Sequence, residues 1–212
     1  MCSRFENKET GESMFKKFEK DFLMLNFAAK DLKQINIAPN DDILVIQKND
    51  KEYVLKNFSW GIKFPGEKTP LIFNSRIETI SDKPYWRKLF NKNRCLIPAT
   101  AFYEWTTIDK TKIPQKISFD SMPLFFIAGI YVTIDDGIFA SMITTTPNSS
   151  IAKIHNRMPV VLNKEEGFKF LSAKDDEALI MCHPLNNDVK VEITLADDIL
   201  TQNQKDFLNK KQ

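Results

Sequence analysis

Between positions 12 and 25, Phe15, Phe18, Phe22 and Leu25 recur at helical spacing, with Lys16, Lys17 and Lys20 between them. That spacing predicts an amphipathic helix over Glu12–Leu25. The pattern then changes to short β-rich runs, Asp42–Gln47 and Glu52–Lys56, with Lys48-Asn49-Asp50-Lys51 as the hairpin turn between them. Trp60-Gly61 and Pro65-Gly66 mark a loop. Ser81–Asn91, with Pro84 in its first turn and Trp86, Leu89 and Phe90 apolar, reads as a short helix. From Arg94 onward the chain is strand-like: Cys95–Pro98, Ala101–Trp105, Gln115–Phe119, Pro123–Thr133 and Ile138–Thr146, the last two joined by the turn signal Asp135-Asp136-Gly137. Met158–Leu162 is a further apolar run. Asn163 is placed to cap a helix through Leu171, with Glu166 at the capping-box position. Asp175–Met181 reads as a short helix and Val189–Ile193 as a late strand, and the polar tail after Thr201 is expected to fray. Strands and helices do not alternate regularly, so the expectation is α+β, a β-rich centre flanked by short helices, and not a doubly wound sheet.

Composition narrows the class. The 212 residues are 42% hydrophobic and 27% charged, as in an ordinary folded chain. One domain over residues 1–212 is the leading expectation, with two small ones as the alternative. Cys2, Cys95 and Cys182 form no CxxC pair, and His155 and His183 stand 28 residues apart, outside metal-ligand spacing, so no metal and no cofactor are expected. No apolar run is long enough for a membrane span, and the amino terminus has no secretory signal, which makes the cytoplasm the expected compartment. The net charge of +2 is unevenly spread: residues 61–100 carry +5 and the remainder −3. Aromatics interleave with the basic residues there, a mixture that suits single-stranded nucleic acid, although a solvated face beside core aromatics gives the same pattern.

Cys2 is the most informative residue. Methionine is generally trimmed before a small second residue, and trimming leaves Cys2 with an α-amine and a thiol on adjacent carbons. An α-amine has a pKa of about 7.7–8.0 against roughly 10.4 for lysine, so at neutral pH far more of it is nucleophilic. Such a 1,2-aminothiol condenses with an aldehyde to a Schiff base, and its thiol closes the ring to a thiazolidine. Glu104 lies among bulky aromatics in Ala101-Phe102-Tyr103-Glu104-Trp105, where partial burial would raise its pKa and suit proton transfer. Each of these residues also has a plainer reading: an inert second residue for Cys2, an outward strand residue for Glu104, a packed histidine for His155, a strand-end turn residue for Asn74.

Six separated motifs together resemble one family. They are Met1-Cys2-Ser3-Arg4-Phe5, Asn36-Ile37-Ala38-Pro39, Trp60-Gly61, Phe73-Asn74-Ser75-Arg76-Ile77-Glu78-Thr79, Arg94-Cys95-Leu96-Ile97-Pro98-Ala99 with Phe102-Tyr103-Glu104-Trp105, and Ile154-His155-Asn156-Arg157-Met158-Pro159. In order and content they resemble the SOS-response-associated peptidase (SRAP) family of abasic-site processing proteins over residues 2–162. The resemblance implies a barrel-like β-rich centre, a positively charged cleft, and a covalent thiazolidine between Cys2 and a ring-opened abasic site in single-stranded DNA, with associated lyase chemistry. It implies Cys2 as nucleophile, Asn74 as its orienting partner, Glu104 as proton shuttle and His155 as acid–base partner. Arg4, Arg76 and Arg157 would bind flanking phosphates, and Pro39 and Trp60 would wall the DNA site. The expected partner is abasic single-stranded DNA, met in the cytoplasm at the nucleoid. No protein-docking tail is evident, and a monomer is the simplest expectation. Ser3 and Ser75 replace the family's Gly and Ala, Glu67 replaces a tryptophan, and beyond residue 162 only His183-Pro184 echoes the pattern; His183 is read as structural. Two other readings stay open: a cysteine peptidase, including one that acts only on its own amino terminus, built from Cys2, His155 and Glu104 or Asn74, and a non-covalent single-strand-binding module.

Overall fold

Strand β2 (Asp42–Asn49) carries Ile43 and Val45 on one face and Leu44 and Ile46 on the other, and all four are buried. Successive strand residues point to opposite faces, so a strand apolar on both lies between two packed layers. The same holds for β5 (Arg94–Ala99) and β8 (Phe125–Ile134). In a computed structural model, which describes residues 2–18, 32, 34–49, 52–66 and 68–211, these strands belong to a closed barrel. With β3 (Glu52–Trp60) and β9 (Gly137–Thr145), the ladder order is β9-β3-β2-β5-β8, and β8 pairs back onto β9 to complete five strands. One set of alternate residues, including Ile43, Val45, Phe58, Trp60, Ile97, Ile127 and Met142, forms the first core. The other set forms a second core with Met14 of α1 (Gly11–Phe18), Phe90 of α3 (Pro84–Lys92) and Phe170 of α4 (Lys164–Ser172). The α+β, barrel-like expectation is thus the fold found.

Short strands extend the barrel. Both β4 (Asn74–Arg76) and β10 (Met158–Pro159) pair with β9, and β11 (Val161–Leu162) pairs with β8. A separate four-stranded sheet runs β1 (Arg4–Glu6), β6 (Ala101–Ile108), β7 (Thr111–Phe119), β12 (Val191–Leu195). Its inner residues Phe102, Ile117 and Phe119 join the first core. A buried cluster fastens β1: Glu6 takes Lys116 at 2.7 Å, Thr100 Oγ1 at 3.0 Å and the Tyr103 hydroxyl at 3.2 Å. Burial pushes the Glu6 carboxyl up, but Lys116 and Thr100 outweigh it and hold the group below the usual carboxylate range.

Several elements differ from the sequence expectation. The helix predicted from Glu12 is seen as α1 to Phe18, and its expected continuation to Leu25 lies outside the described residues, as do Asp50 and Lys51 of the first hairpin turn. The helix expected over Ser81–Asn91 is two, α2 (Ile77–Asp82) and α3, parted at Lys83 with φ −101° and ψ 118°. A residue before proline is pushed out of the α region, so Pro84 starts α3 and forces that break. Strands β6 and β7 run on to a two-residue turn at Asp109 and Lys110, both at positive φ (45° and 69°). The tail after Thr201 is not frayed. It forms α6 (Gln202–Asn209), opened by a reciprocal Thr201–Gln204 capping box whose Ser/Thr-x-x-Gln signature stands in the sequence. The capping box read at Asn163 and Glu166 is present, with mutual bonds of 3.0 and 2.9 Å.

Trp60 closes the first core. It is 0% exposed, meets Phe5 and Phe73 edge-on at 5.2 and 6.0 Å, and its Nε1–H donates to the Phe73 carbonyl at 2.9 Å. After it, Gly61 holds φ 124°, and a Cβ there would meet the Leu71 side chain at 2.8 Å, so the chain can leave β3 this way only with glycine. Replacing Trp60 by alanine is expected to destabilise the fold by about 3–5 kcal/mol. The check is a urea midpoint shift at unchanged slope; a shift worth less than about 1 kcal/mol would contradict this packing role.

Candidate active site at the amino terminus

The first strand sets the site. Its register, Arg4 opposite Tyr103 and Phe5 opposite Phe102, lays Cys2 and Ser3 alongside the Glu104 end of β6. Cys2 is 1% exposed, and its Sγ–H donates to the Arg4 carbonyl at 3.3 Å. Burial, followed by the negative charge of Glu104, pushes its thiol well above the ordinary cysteine range. Asn74 reaches the same residue from β4, donating Nδ2–H to the Cys2 carbonyl at 2.8 Å. The Asn74 Oδ1 is buried and, among the described residues, accepts no hydrogen bond. An orphaned buried acceptor costs about 1–3 kcal/mol, so it is the kind of atom kept for a ligand's donor. Asn74 is fixed in turn by the Phe73 carbonyl, which takes both the Trp60 Nε1–H and the Met142 N–H at 3.0 Å.

Glu104 is 2% exposed, and burial raises its carboxyl to about 7. His155 Nδ1 lies 3.8 Å from the Glu104 Oε1 and accepts the Arg157 backbone N–H at 3.0 Å. An accepting Nδ1 places the proton of the neutral ring on Nε2. Burial holds the His155 pKa below its ordinary value. The pair is therefore an acid near its midpoint at neutral pH beside a neutral imidazole, an arrangement suited to passing protons in either direction. A cavity of about 380 Å³ opens here, lined by Ser3, Arg4, Glu104, Trp105, Lys112 and His155.

The structure brings Cys2, Asn74, Glu104, His155 and Arg4 together and assigns the remaining candidates other places. Arg4 lines the cavity, its Nη1 donating to the Ser3 carbonyl at 2.7 Å. Arg76 is exposed at the end of β4. Arg157 does not present its guanidinium to a phosphate: it is 9% exposed, forked onto Glu78 at 2.7 and 3.0 Å and donating to the Thr144 carbonyl at 2.7 Å. Its paired guanidinium holds the Glu78 carboxyl below the usual range. The expectation of a phosphate contact is thus corrected to a brace that fixes the loop carrying His155. Trp60, being fully buried, does not wall a DNA surface but supports Asn74 from within the core. Pro39 sits in a turn beside the end of β3, where the Asn40 N–H donates to the Trp60 carbonyl at 2.8 Å, and it does not line the cavity. Sequence reasoning missed Lys112, which enters only through the Thr107–Lys112 pairing of β6 and β7. Asp109-Lys110 is a weak hairpin signature beside Asn-Gly or Asp-Gly, so nothing in the pattern announced that register. Among the described residues no group of three His, Cys, Asp or Glu is placed to hold a metal, and no helix is long and apolar enough to cross a membrane.

The model of the family described as SOS response associated peptidase (SRAP) matches residues 1–196. The chain is similar to abasic site processing protein YoqW of Bacillus subtilis, 35% identical over 187 residues that cover 84% of this chain and 83% of that one. It is also similar to abasic site processing protein YedK of Escherichia coli, 27% identical over 172 residues covering 78% and 77%. A crystal structure of a protein from Bacteroides thetaiotaomicron superposes with a TM-score of 0.76 over 92% of this chain and 93% of its own, at 24% identity, a likeness of fold.

Proposed function

The chain belongs to the SOS response associated peptidase family, and from that premise we propose that it processes abasic sites in single-stranded DNA by forming a thiazolidine between Cys2 and the ring-opened sugar. The observation that carries this reading is the meeting, on one residue, of an Asn74 hydrogen bond and the influence of a raised-pKa carboxyl, Glu104. Relatives at 35% and 27% identity are named for abasic site processing, which supports the substrate class.

With Met1 removed, the Cys2 α-amine attacks the C1′ aldehyde carbon and forms a carbinolamine. Protonated Glu104 donates to the departing hydroxyl, water leaves, and a Schiff base remains. The Cys2 thiol then adds its sulfur to that carbon, its proton passes to the Glu104 carboxylate, and the five-membered ring closes. The balance is aldehyde plus aminothiol giving thiazolidine plus one water. Asn74 Oδ1 accepts a hydrogen bond from the amine or from the opened sugar hydroxyl, while His155 exchanges protons with Glu104 and with the sugar. The same Schiff base permits β-elimination of the 3′ phosphate, so lyase activity needs no further residue. A raised thiol pKa suits a sulfur that reacts late and neutral. It is poorly suited to a thiol peptidase, whose nucleophile is a standing thiolate in an electropositive setting.

The test is incubation with a single-stranded oligonucleotide carrying one abasic site, followed by a denaturing gel after heating. A heat-stable adduct is expected with the abasic strand and none with an intact strand. Reductive methylation of the α-amine to the tertiary amine should abolish it. Equal retention of both strands with no covalent species would establish a passive binder, and hydrolysis of peptides dependent on Cys2 and His155 would establish a peptidase.

A further inference from the structure

We infer that Lys112 is a backbone-phosphate contact for the strand that enters the Glu104–His155 cavity, and that α6 is the element that holds it there; this rests on the reading of the site as one for abasic single-stranded DNA. Strand β1 pairs with β6 only from Ala101 to Tyr103, so the β6 edge beyond Tyr103 has no β1 partner. The cavity lies in that notch, where both a residue of one face, Glu104, and residues of the other, Trp105 and Lys112, line it. Glu104 is 2% exposed and partly protonated at neutral pH, whereas Lys112 is exposed, so the accessible charge of the mouth is set by Arg4 and Lys112. Among the described residues no carboxylate lies within ion-pair distance of Lys112. A solvated, unpaired ammonium on the rim of a pocket that receives a polyanion is what phosphate binding requires, and it reads no sequence.

The carboxy-terminal helix gives this lysine its place. Gln204 spends its amide twice: Oε1 accepts the Thr201 N–H at 2.8 Å in the capping box, and Nε2 donates to the Lys112 carbonyl at 2.6 Å. At the hairpin tip Lys211 pairs with Asp109. Below, the Ala196 N–H donates to the Pro114 carbonyl at 3.1 Å, and Asp198 accepts the Tyr103 hydroxyl at 3.2 Å. The segment after residue 196, outside the family match, therefore grips the hairpin that carries Glu104, Trp105 and Lys112. Gln204 is a positioning residue here, and Lys112 is the group that touches the strand.

The experiment uses the full chain and two probes. Fluorescence anisotropy measures binding to a single-stranded oligonucleotide with a tetrahydrofuran abasic analogue, which has no aldehyde and so reports binding without the covalent step. Lys112→Ala is expected to weaken binding roughly 3- to 10-fold at low salt. It should also reduce the slope of log affinity against log salt by about 0.7, the value for one phosphate on a single strand. Lys112→Arg should restore both. Gln204→Ala should move affinity the same way by a smaller factor in a protein whose circular dichroism shows it still folded. At saturating DNA, Lys112→Ala should recover a larger share of the wild-type adduct rate than at limiting DNA, which separates strand binding from catalysis. An unchanged slope and affinity in a folded Lys112→Ala protein would overturn this inference alone. Absence of any wild-type adduct with a genuine abasic strand would instead overturn the reading of the site on which it rests.

Discussion

Replacing Cys2 by alanine is expected to abolish the heat-stable adduct with abasic single-stranded DNA, leaving less than about one part in a hundred of the wild-type yield. The expectation follows from chemistry that no neighbouring group can supply, an amine and a thiol on adjacent carbons. Cys2→Ser separates the two nucleophiles. Serine keeps the α-amine, so the Schiff base should still form and be trapped by borohydride, but without reductant nothing should survive heating. Cys95 is 0% exposed and Cys182 5%, and burial pushes both thiols up, the latter to about 12. Cys95→Ala and Cys182→Ala should therefore cross-link like the wild type. Loss of the adduct in either, with circular dichroism unchanged, would mean that the nucleophile has been misassigned.

Glu104→Gln is expected to slow adduct formation by about 10²–10⁴, the usual worth of a positioned general acid–base. The pH profile carries the sharper signature. In the wild type the limb set by Glu104 should titrate near 7, and in the variant that limb should vanish while the α-amine limb at about 7.7–8.0 remains. Stability should move the other way. A carboxyl whose folded pKa is raised binds more protons folded than unfolded between its usual value near 4.5 and about 7. Stability therefore falls as pH rises through that window, and the full cost is present above it. Glu104→Gln should accordingly melt at a higher temperature than the wild type at pH 8 and near the same temperature at pH 4.5. A variant with wild-type rate and profile would remove Glu104 from the mechanism; a variant less stable at pH 8 would mean that the carboxylate is well compensated in the fold. A residue that is costly to the fold and indispensable to the reaction is the usual mark of a functional site.

The elements that strong local signals announce were readable without the fold. Asp135-Asp136-Gly137 turns where it should, Asn163 and Glu166 cap α4, and Pro84 begins α3. The candidate aminothiol was readable for the same reason: it is a property of position 2 and needs no tertiary context. So was the family, because six ordered motifs are a property of the string. Where local signals are weak, long-range pairing decides the structure. The β6–β7 hairpin turns on Asp109-Lys110, which is held by a ladder of seven pairs and not by its own turn chemistry. The amino-terminal strand has three residues and no period of its own, and it exists because β6 offers it an edge.

The sequence by itself determined the barrel's strands, as β-rich apolar runs parted by turn signals, and the adjacent amine and thiol that Cys2 can offer. Only the tertiary structure decided which residues share the site and in what electrical state. Charge and burial are pair properties: Arg157 reads as a free cation along the chain and becomes a brace because Glu78 and Thr144 meet it. Trp60 reads as a surface aromatic and becomes core because Phe5 and Phe73 enclose it. Lys112 carries no signal along the chain and reaches the cavity because its strand pairs with β6 and α6 grips its carbonyl. Glu104 could be suspected of partial burial from its aromatic neighbours, but a carboxyl near 7 requires the desolvation that only the closed fold imposes.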